Sequence, residues 1–349
     1  MTVRVVHWGT GYTGRFGLRG VIGSPKMELV GLVVERPENA GRDAGELCGE
    51  PDVGVISTSS IEDAISLAPD CVSYYGTGSG PGLDEGITNL LQLLEAGINV
   101  SSTVFTRFSH PQGVPEPYKS QIDEACAKGG STFFSTGIEP GFASDVLPMA
   151  MLCAADRIDH INAAEIAKYG RYPKASMDLG TSFDEPPTVT DEFCMSLFGG
   201  TVLGIAEKVG VELEGLRPWQ EYAPMPYDTT VAWGPIAKGS RGAIRCAVDG
   251  MYNGTPLITV MHVNYVFDEY PDEWQHSDAK GKTAYRTDLT GRPTGSLELT
   301  YPLGHAEYQA IVATAMRAIT AIPFVVEAPP GHIGGLDVPL EHTGHVREF

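Results

Sequence analysis

The chain has 349 residues, 42% hydrophobic and 19% charged, an ordinary globular balance. That length suggests about two domains and a core large enough to need neither disulfides nor metal. A formal net charge of -20 repels phosphate backbones and anionic lipid. Nucleic acid and membrane partners are therefore not expected, although a helix N-terminus can still hold a phosphate without net positive charge.

Strand and helix signals alternate from the start. Residues 2–8 read as a buried strand, 9–14 as a glycine-rich turn and 15–22 as a helix stopped by Ser24-Pro25. Strands follow at 27–34, 70–75, 98–102 and 131–135, with helices at 61–67, 84–96 and 119–128 between them. This alternation predicts a doubly wound parallel sheet of the Rossmann kind in an α/β fold. After about residue 141 the pattern changes. A connecting helix is expected at 144–155, a longer one at 189–209, and strands at 158–166, 242–252, 257–267 and 295–301, with Asn253-Gly254 as a hairpin turn. Strands without intervening helices predict a second α+β domain on an open mixed sheet. Residues 215–239, rich in Pro, Trp and Tyr, read as a long ordered loop. The chain closes with a helix over 305–321, a short strand at 324–326 and a Pro/Gly-rich tail.

Cys48, Cys71, Cys126, Cys153, Cys194 and Cys246 are scattered with no C-x-x-C pair, and His332, His342 and His345 fit no ligand spacing, so no metal is expected. No basic-then-apolar leader precedes the first strand and no uninterrupted apolar run approaches membrane-spanning length. The simplest address is cytoplasmic.

Gly9-Thr10-Gly11-Tyr12-Thr13-Gly14 matches G-x-G-x-x-G between a strand and a helix, the context that gives the pattern meaning. Gly9 allows the turn, Gly11 lets a pyrophosphate approach the backbone, and Gly14 lets helix and strand pack closely. The next strand ends at Glu35-Arg36. An acid there bonds a ribose 2′-hydroxyl and favours NAD, whereas Arg36 suits a 2′-phosphate or stacks on adenine, so the cofactor is NAD or NADP.

Three further stretches carry a family resemblance. Gly41-Arg42-Asp43-Ala44-Gly45-Glu46-Leu47 joins the opening Val5-Val6-His7-Trp8-Gly9-Thr10-Gly11 in resembling dihydrodipicolinate-reductase-like proteins. Thr136-Gly137-Ile138-Glu139-Pro140-Gly141-Phe142 with Asp145-Val146-Leu147-Pro148, and Ala313-Thr314-Ala315-Met316 through Ala328-Pro329-Pro330-Gly331, resemble the 2,4-diaminopentanoate dehydrogenase and native amine dehydrogenase family. The resemblance spans nearly the whole chain. It implies a homodimer and a Rossmann domain over residues 1–142 plus about 305–349. Residues 143–304 would form a substrate and dimerisation domain. It also implies reductive amination of a ketone or aldehyde with NAD(P)H, or the reverse oxidation of an amine. The family's catalytic glutamate falls in a stretch that reads here Ser102-Thr103-Val104-Phe105-Thr106-Arg107-Phe108, without an acid, and its Asn before Pro-Gly-Phe is here Glu139.

Glu139 follows a parallel strand, where doubly wound sheets place their active sites. A carboxylate in an apolar pocket can move protons near neutral pH. Glu139 is therefore the candidate catalytic acid–base group, the alternative being a bond to the nicotinamide ribose or a cap on the next helix. Phe142, Tyr169 and Tyr172 are candidate pocket residues by the resemblance. Trp219, Tyr222, Tyr227 and Trp233 form either an aromatic wall or packing, and Tyr74 and Tyr75 either edge the nicotinamide or fill the core. Carbonyl or imine reduction without ammonia, and NAD(P) binding without turnover, are the competing readings.

Overall fold

The computed structural model describes residues 2–171, 177–279, 283–301 and 306–343. The chain divides into two compact units, Met1–Phe142 with Ile311–Phe349, and Ala143–Ala310.

The first unit alternates β1 (Val3–Trp8), α1 (Gly14–Gly23), β2 (Met27–Val33), α2 (Ala44–Cys48), α3 (Ile61–Ser66), β3 (Cys71–Tyr74), α4 (Leu83–Glu95), β4 (Asn99–Ser102), α5 (Tyr118–Gly129) and β5 (Thr132–Ser135). Local chemistry sets several boundaries. Ser60 caps α3 by accepting from the Asp63 N–H, and Gly130 ends α5 at φ +67°, a conformation open to glycine.

The second unit holds α6 (Val146–Leu152), β6 (Arg157–Lys168), α7 (Asp191–Val209), β7 (Gly215–Pro224), β8 (Thr229–Val231), β9 (Gly234–Ile236), β10 (Arg241–Tyr252), β11 (Thr255–Tyr265), β12 (Ala284–Arg292) and β13 (Gly295–Thr300). Its sheet runs β13-β12-β6-β11-β10-β7, with β6 and β11 parallel and the other pairs antiparallel. The expected mixed sheet is therefore present. Phe198 of α7 sets its ring edge-on to His262 of β11 at 4.8 Å, and a Cβ on Gly250 would meet Val202. The face carrying His262 and Gly250 is thus the one α7 covers.

The chain returns to the first unit through α8 (Ala306–Glu327) and β14 (Gly331–Ile333), which pairs in parallel with β5. The complete sheet is β14-β5-β4-β3-β1-β2, all parallel. Val6, Trp8, Val72, Tyr74 and Val100 pack with α4 and α5 on one face, and Val3, Val5 and Cys71 with α1 and α8 on the other.

Four expectations are corrected. Residues 215–239 are an edge strand, β7, and the β8–β9 hairpin rather than a loop. Pro218 and Pro224 are tolerated because an edge strand needs its ladder on one side alone. β12 escaped the sequence reading because polar Thr287 stands between Tyr285 and Leu289 on its buried face; Arg286 and Asp288, on the other face, pair with each other at 2.9 Å. Residues 324–326 are helical: α8 runs through Pro323, where burial of Ala321, Ile322 and Val325 outweighs a proline cost of about 3 kcal/mol. The Pro/Gly-rich tail supplies strand β14. Among the described residues α8 alone is long and apolar enough to cross a membrane by length and composition, but Ala315, Ala318, Ile319 and Ile322 are buried in the core of the first unit.

Candidate active site

The turn between β1 and α1 has the shape its glycines predict. Gly9 takes φ +96°, and a Cβ there would lie 2.6 Å from the Tyr75 carbonyl oxygen. A Cβ on Gly14 would lie 2.0 Å from the Gly9 carbonyl oxygen. Gly11 is different: nothing lies within 4 Å of its Cβ position, so its missing side chain leaves open space over the turn. Thr13, the N-cap of α1, makes no capping bond, and the first turn carries no acid. The positive end of the helix is therefore left for an anion. This cradle fits the pyrophosphate of a dinucleotide. Tyr12 is exposed, with the Arg15 guanidinium 5.0 Å from its ring, and Thr10 Oγ1 accepts from Asn39 Nδ2 at 3.2 Å.

His7 supports the turn from beneath. Its Nε2–H donates to the Gly9 carbonyl at 2.9 Å and its ring stacks on Tyr75 at 5.1 Å. Burial holds this imidazole down to about 4, so it is neutral at pH 7. An unfolded chain takes up that proton from about pH 6.5 downward, before the folded one does. The contribution is complete above pH 6.5 and is lost as pH falls through about 4. It amounts to about 3 kcal/mol. The stability advantage of wild type over His7→Asn is expected to shrink by that much between pH 7 and pH 4 in urea unfolding. Parallel stability curves would show that His7 carries no such linkage.

β2 leads into Glu35 and Arg36, both exposed. Glu35 Oε1 accepts from the Thr77 N–H at 2.5 Å, which ties the end of β2 to the loop after β3. Oε2 bonds no described residue, so the carboxylate can still accept from a ribose hydroxyl. The sequence reading missed Thr77, although Gly76-Thr77-Gly78-Ser79-Gly80 is a second glycine-rich stretch after a strand. Tyr74 and Tyr75 are core residues: Tyr74 stacks on Phe105 at 5.5 Å and donates to the Thr77 carbonyl, and Tyr75 donates to the Ala315 carbonyl.

Parallel pairing puts the ends of β1, β3, β4 and β5 along one edge, so the segment that carries Glu139 leaves the sheet at the same edge as the glycine turn, with the ends of β5 and β1 about 14 Å apart at three strand spacings. Glu139 is half-buried with extended backbone in the turn Ile138–Phe142, where Gly141 at φ +137° requires glycine. Asp145 is the N-cap of α6, its side chain accepting from the Val146 N–H. Phe142, half-buried, ends the first segment of this unit. The stretch after β4 places Phe105 and Phe108 in the core and Arg107 in solvent.

In the second unit, Tyr169 follows β6 and its hydroxyl donates to Glu165 Oε1 at 3.4 Å. Tyr172 lies outside the described residues. Trp219 and Tyr222 point to opposite faces of β7, so they build no common wall. Trp219 donates to Asp249 and Tyr222 to Asp178, while Trp233 donates to the Tyr169 carbonyl and Tyr227 is exposed.

An amine dehydrogenase of Streptomyces virginiae is 32% identical over 354 residues, covering 97% of this chain and 96% of that protein. The chain belongs to the amine dehydrogenase family. It is an enzyme, an oxidoreductase. Among solved structures, the amine dehydrogenase of Mycobacterium smegmatis superposes with a TM-score of 0.72 at 16% identity, over 100% of this chain and 99% of that one. An Agrobacterium radiobacter oxidoreductase in complex with NAD+, L-tartaric acid and magnesium gives 0.54 at 9% identity, over 97% and 92% of the two chains. Dihydrodipicolinate reductase from Paenisporosarcina sp. TG-14 gives 0.50 at 15%, over 97% and 99%. At these identities the structures establish the shared fold. No family model matches the chain.

Proposed function

We propose that this protein is an NAD(P)-dependent amine dehydrogenase that interconverts a ketone or aldehyde plus ammonia with the corresponding amine. The open Gly11 position at an uncapped helix N-terminus carries the cofactor assignment. The family carries the reaction class. NAD and NADP both remain candidates, since Glu35 and the exposed Arg36 stand together at the ribose end. When bound, the nicotinamide supplies or accepts the hydride.

The first unit, with α8 and β14, is the cofactor domain in this reading, and the second binds substrate. Glu139 moves the protons. Its carboxylate takes one from ammonium so that the amine nitrogen can attack the carbonyl, and returns it to the hydroxyl that leaves as water. The balance is carbonyl, ammonia, NAD(P)H and a proton in, and amine, water and NAD(P)+ out. Phe142, Tyr169 and Tyr172 are proposed to line the substrate. Reduction of a carbonyl or imine without ammonia is the second reading, favoured by the absence of an acid from residues 102–108. Loss of NAD(P)H absorbance with carbonyl compounds, with and without ammonium, separates the two.

A homodimer is proposed through the sheet face turned away from α7. That face carries Arg217, Trp219, Arg245 and Asp249 around a hollow of about 660 Å³. Arg245 lies between the rings of Trp219 and Trp274, at 5.0 and 5.3 Å. Sedimentation equilibrium should give twice the mass of one chain; a single-chain mass would remove the dimer. A cytoplasmic address is proposed from six free cysteines, which suit a reducing compartment.

A further inference from the structure

β3 and β4 end on the sheet edge that carries the glycine turn, and a small pocket lies between the loops that follow them. Ligands of doubly wound sheets bind outside the carboxyl ends of the strands, so the pocket stands at the working edge. Leu83, Val104, Phe105 and Phe108 form the apolar part of its wall. Ser79, Thr106 and Arg107 are the lining residues with polar side chains.

All three can donate, and none is engaged. Arg107 is exposed and bonds no described residue, whereas Arg19, Arg42, Arg245 and Arg292 each hold a carboxylate. Ser79 precedes the helical turn at 80–82 without capping it, and the Thr106 hydroxyl bonds no described residue. No acid lines the pocket, in a chain of net charge -20. Asp84 and Glu85, in the first turn of α4, are exposed and form no part of the wall. A guanidinium and two hydroxyls with no acid among them favour an anion.

Size selects among anions. The pocket has a volume of about 30 Å³. A water-sized group needs about 10 to 15 Å³ of such space, so two fit. A carboxylate presents two oxygens of that size, and a phosphate monoester presents three. The phosphates of the dinucleotide also have their own cradle at the β1–α1 turn. The apolar wall keeps water from the bound group, which strengthens its attraction to a guanidinium.

We propose that this pocket seats a carboxylate carried by the carbonyl substrate, with Arg107 as its counter-ion and the hydroxyls of Ser79 and Thr106 as further donors. The substrate class is then an oxo acid, and the amine it yields keeps the carboxylate. That the carboxylate belongs to a carbonyl compound rests on the amine dehydrogenase reading. Arg107 binds and orients this group and takes no part in proton transfer.

Calorimetric titration of the full chain with the oxidised cofactor present, so that no hydride is available, tests the site. The probes are 2-oxobutyrate, 4-oxopentanoate and 5-oxohexanoate, each paired with its uncharged counterpart, 2-butanone, 2-pentanone or 2-hexanone. Inorganic phosphate is the competing anion. Wild type is expected to bind at least one oxo acid saturably and at least tenfold more tightly than the matching ketone. Arg107→Met is expected to weaken that binding at least tenfold, and Arg107→Lys, which keeps the charge, to recover part of it. Equal affinity in wild type and Arg107→Met overturns the proposal, as does the absence of saturable heat from every oxo acid. Ketones that bind as tightly as the oxo acids overturn it too, as does phosphate that binds more tightly than any of them. Loss of NAD(P)+ affinity by the same factor in Arg107→Met would make the guanidinium a cofactor contact and also overturn it. If Arg107→Met fails to fold, Ser79→Ala decides. It is expected to weaken oxo-acid binding a few-fold, and unchanged affinity overturns the site. Oxo-acid binding without NAD(P)H consumption by any carbonyl would sink the amine dehydrogenase reading and leave the site standing. Ammonium-dependent consumption with simple ketones, and no oxo-acid binding, would sink the site alone.

Discussion

Gly11→Val is expected to fold like wild type and to bind NAD(P)H roughly a hundredfold more weakly, the loss of one or two charge-assisted bonds. The Cβ of residue 11 meets no atom within 4 Å, so the substitution costs the fold almost nothing. It fills open space at the helix N-terminus where a pyrophosphate can approach the backbone. Gly14→Ala should behave in the opposite way. Its Cβ would lie 2.0 Å from the Gly9 carbonyl oxygen, a backbone atom that cannot swing aside. Overpacking of that kind costs about 3 kcal/mol or more, visible as a lowered melting temperature before any ligand is added. Fluorescence titration with NADH and NADPH, together with thermal melts, separates the two effects. A Gly11→Val protein that binds cofactor as wild type does would move the dinucleotide away from this turn.

Glu139→Gln is expected to lower kcat by roughly 10² to 10⁴ while leaving cofactor affinity unchanged, because the amide keeps the shape and cannot carry the proton. Stopped-flow hydride transfer at saturating ammonium and carbonyl measures the loss. Wild-type turnover in Glu139→Gln would remove Glu139 from the acid–base role.

The parts of this site that were legible in the sequence depend on short-range signals. The glycine turn is read from six consecutive residues between a strand and a helix, and the placement of Glu35 from the length of one strand. What the sequence hid is non-local. The Thr77 N–H that holds Glu35 lies 42 residues along the chain. The parallel pairing of β6 with β11 inside an otherwise antiparallel sheet joins strands about a hundred residues apart, which no local pattern encodes. β12 was hidden because polar Thr287 sits between Tyr285 and Leu289 on its buried face, which breaks the apolar alternation that marks a half-buried strand. Pro323 misplaced the end of α8 for a related reason: a proline rule is a local cost, and the burial that outweighs it is tertiary.

The central claim is that this chain couples a nicotinamide cofactor to a carbon–nitrogen bond. The measurement that tests it most directly follows NADH and NADPH absorbance with a panel of aldehydes and ketones, each with and without ammonium, on protein whose cofactor binding has been established by fluorescence. The account predicts cofactor consumption that depends on both carbonyl and ammonium, with an amine as product. Consumption at the same rate without ammonium would mean a carbonyl reductase and contradict it.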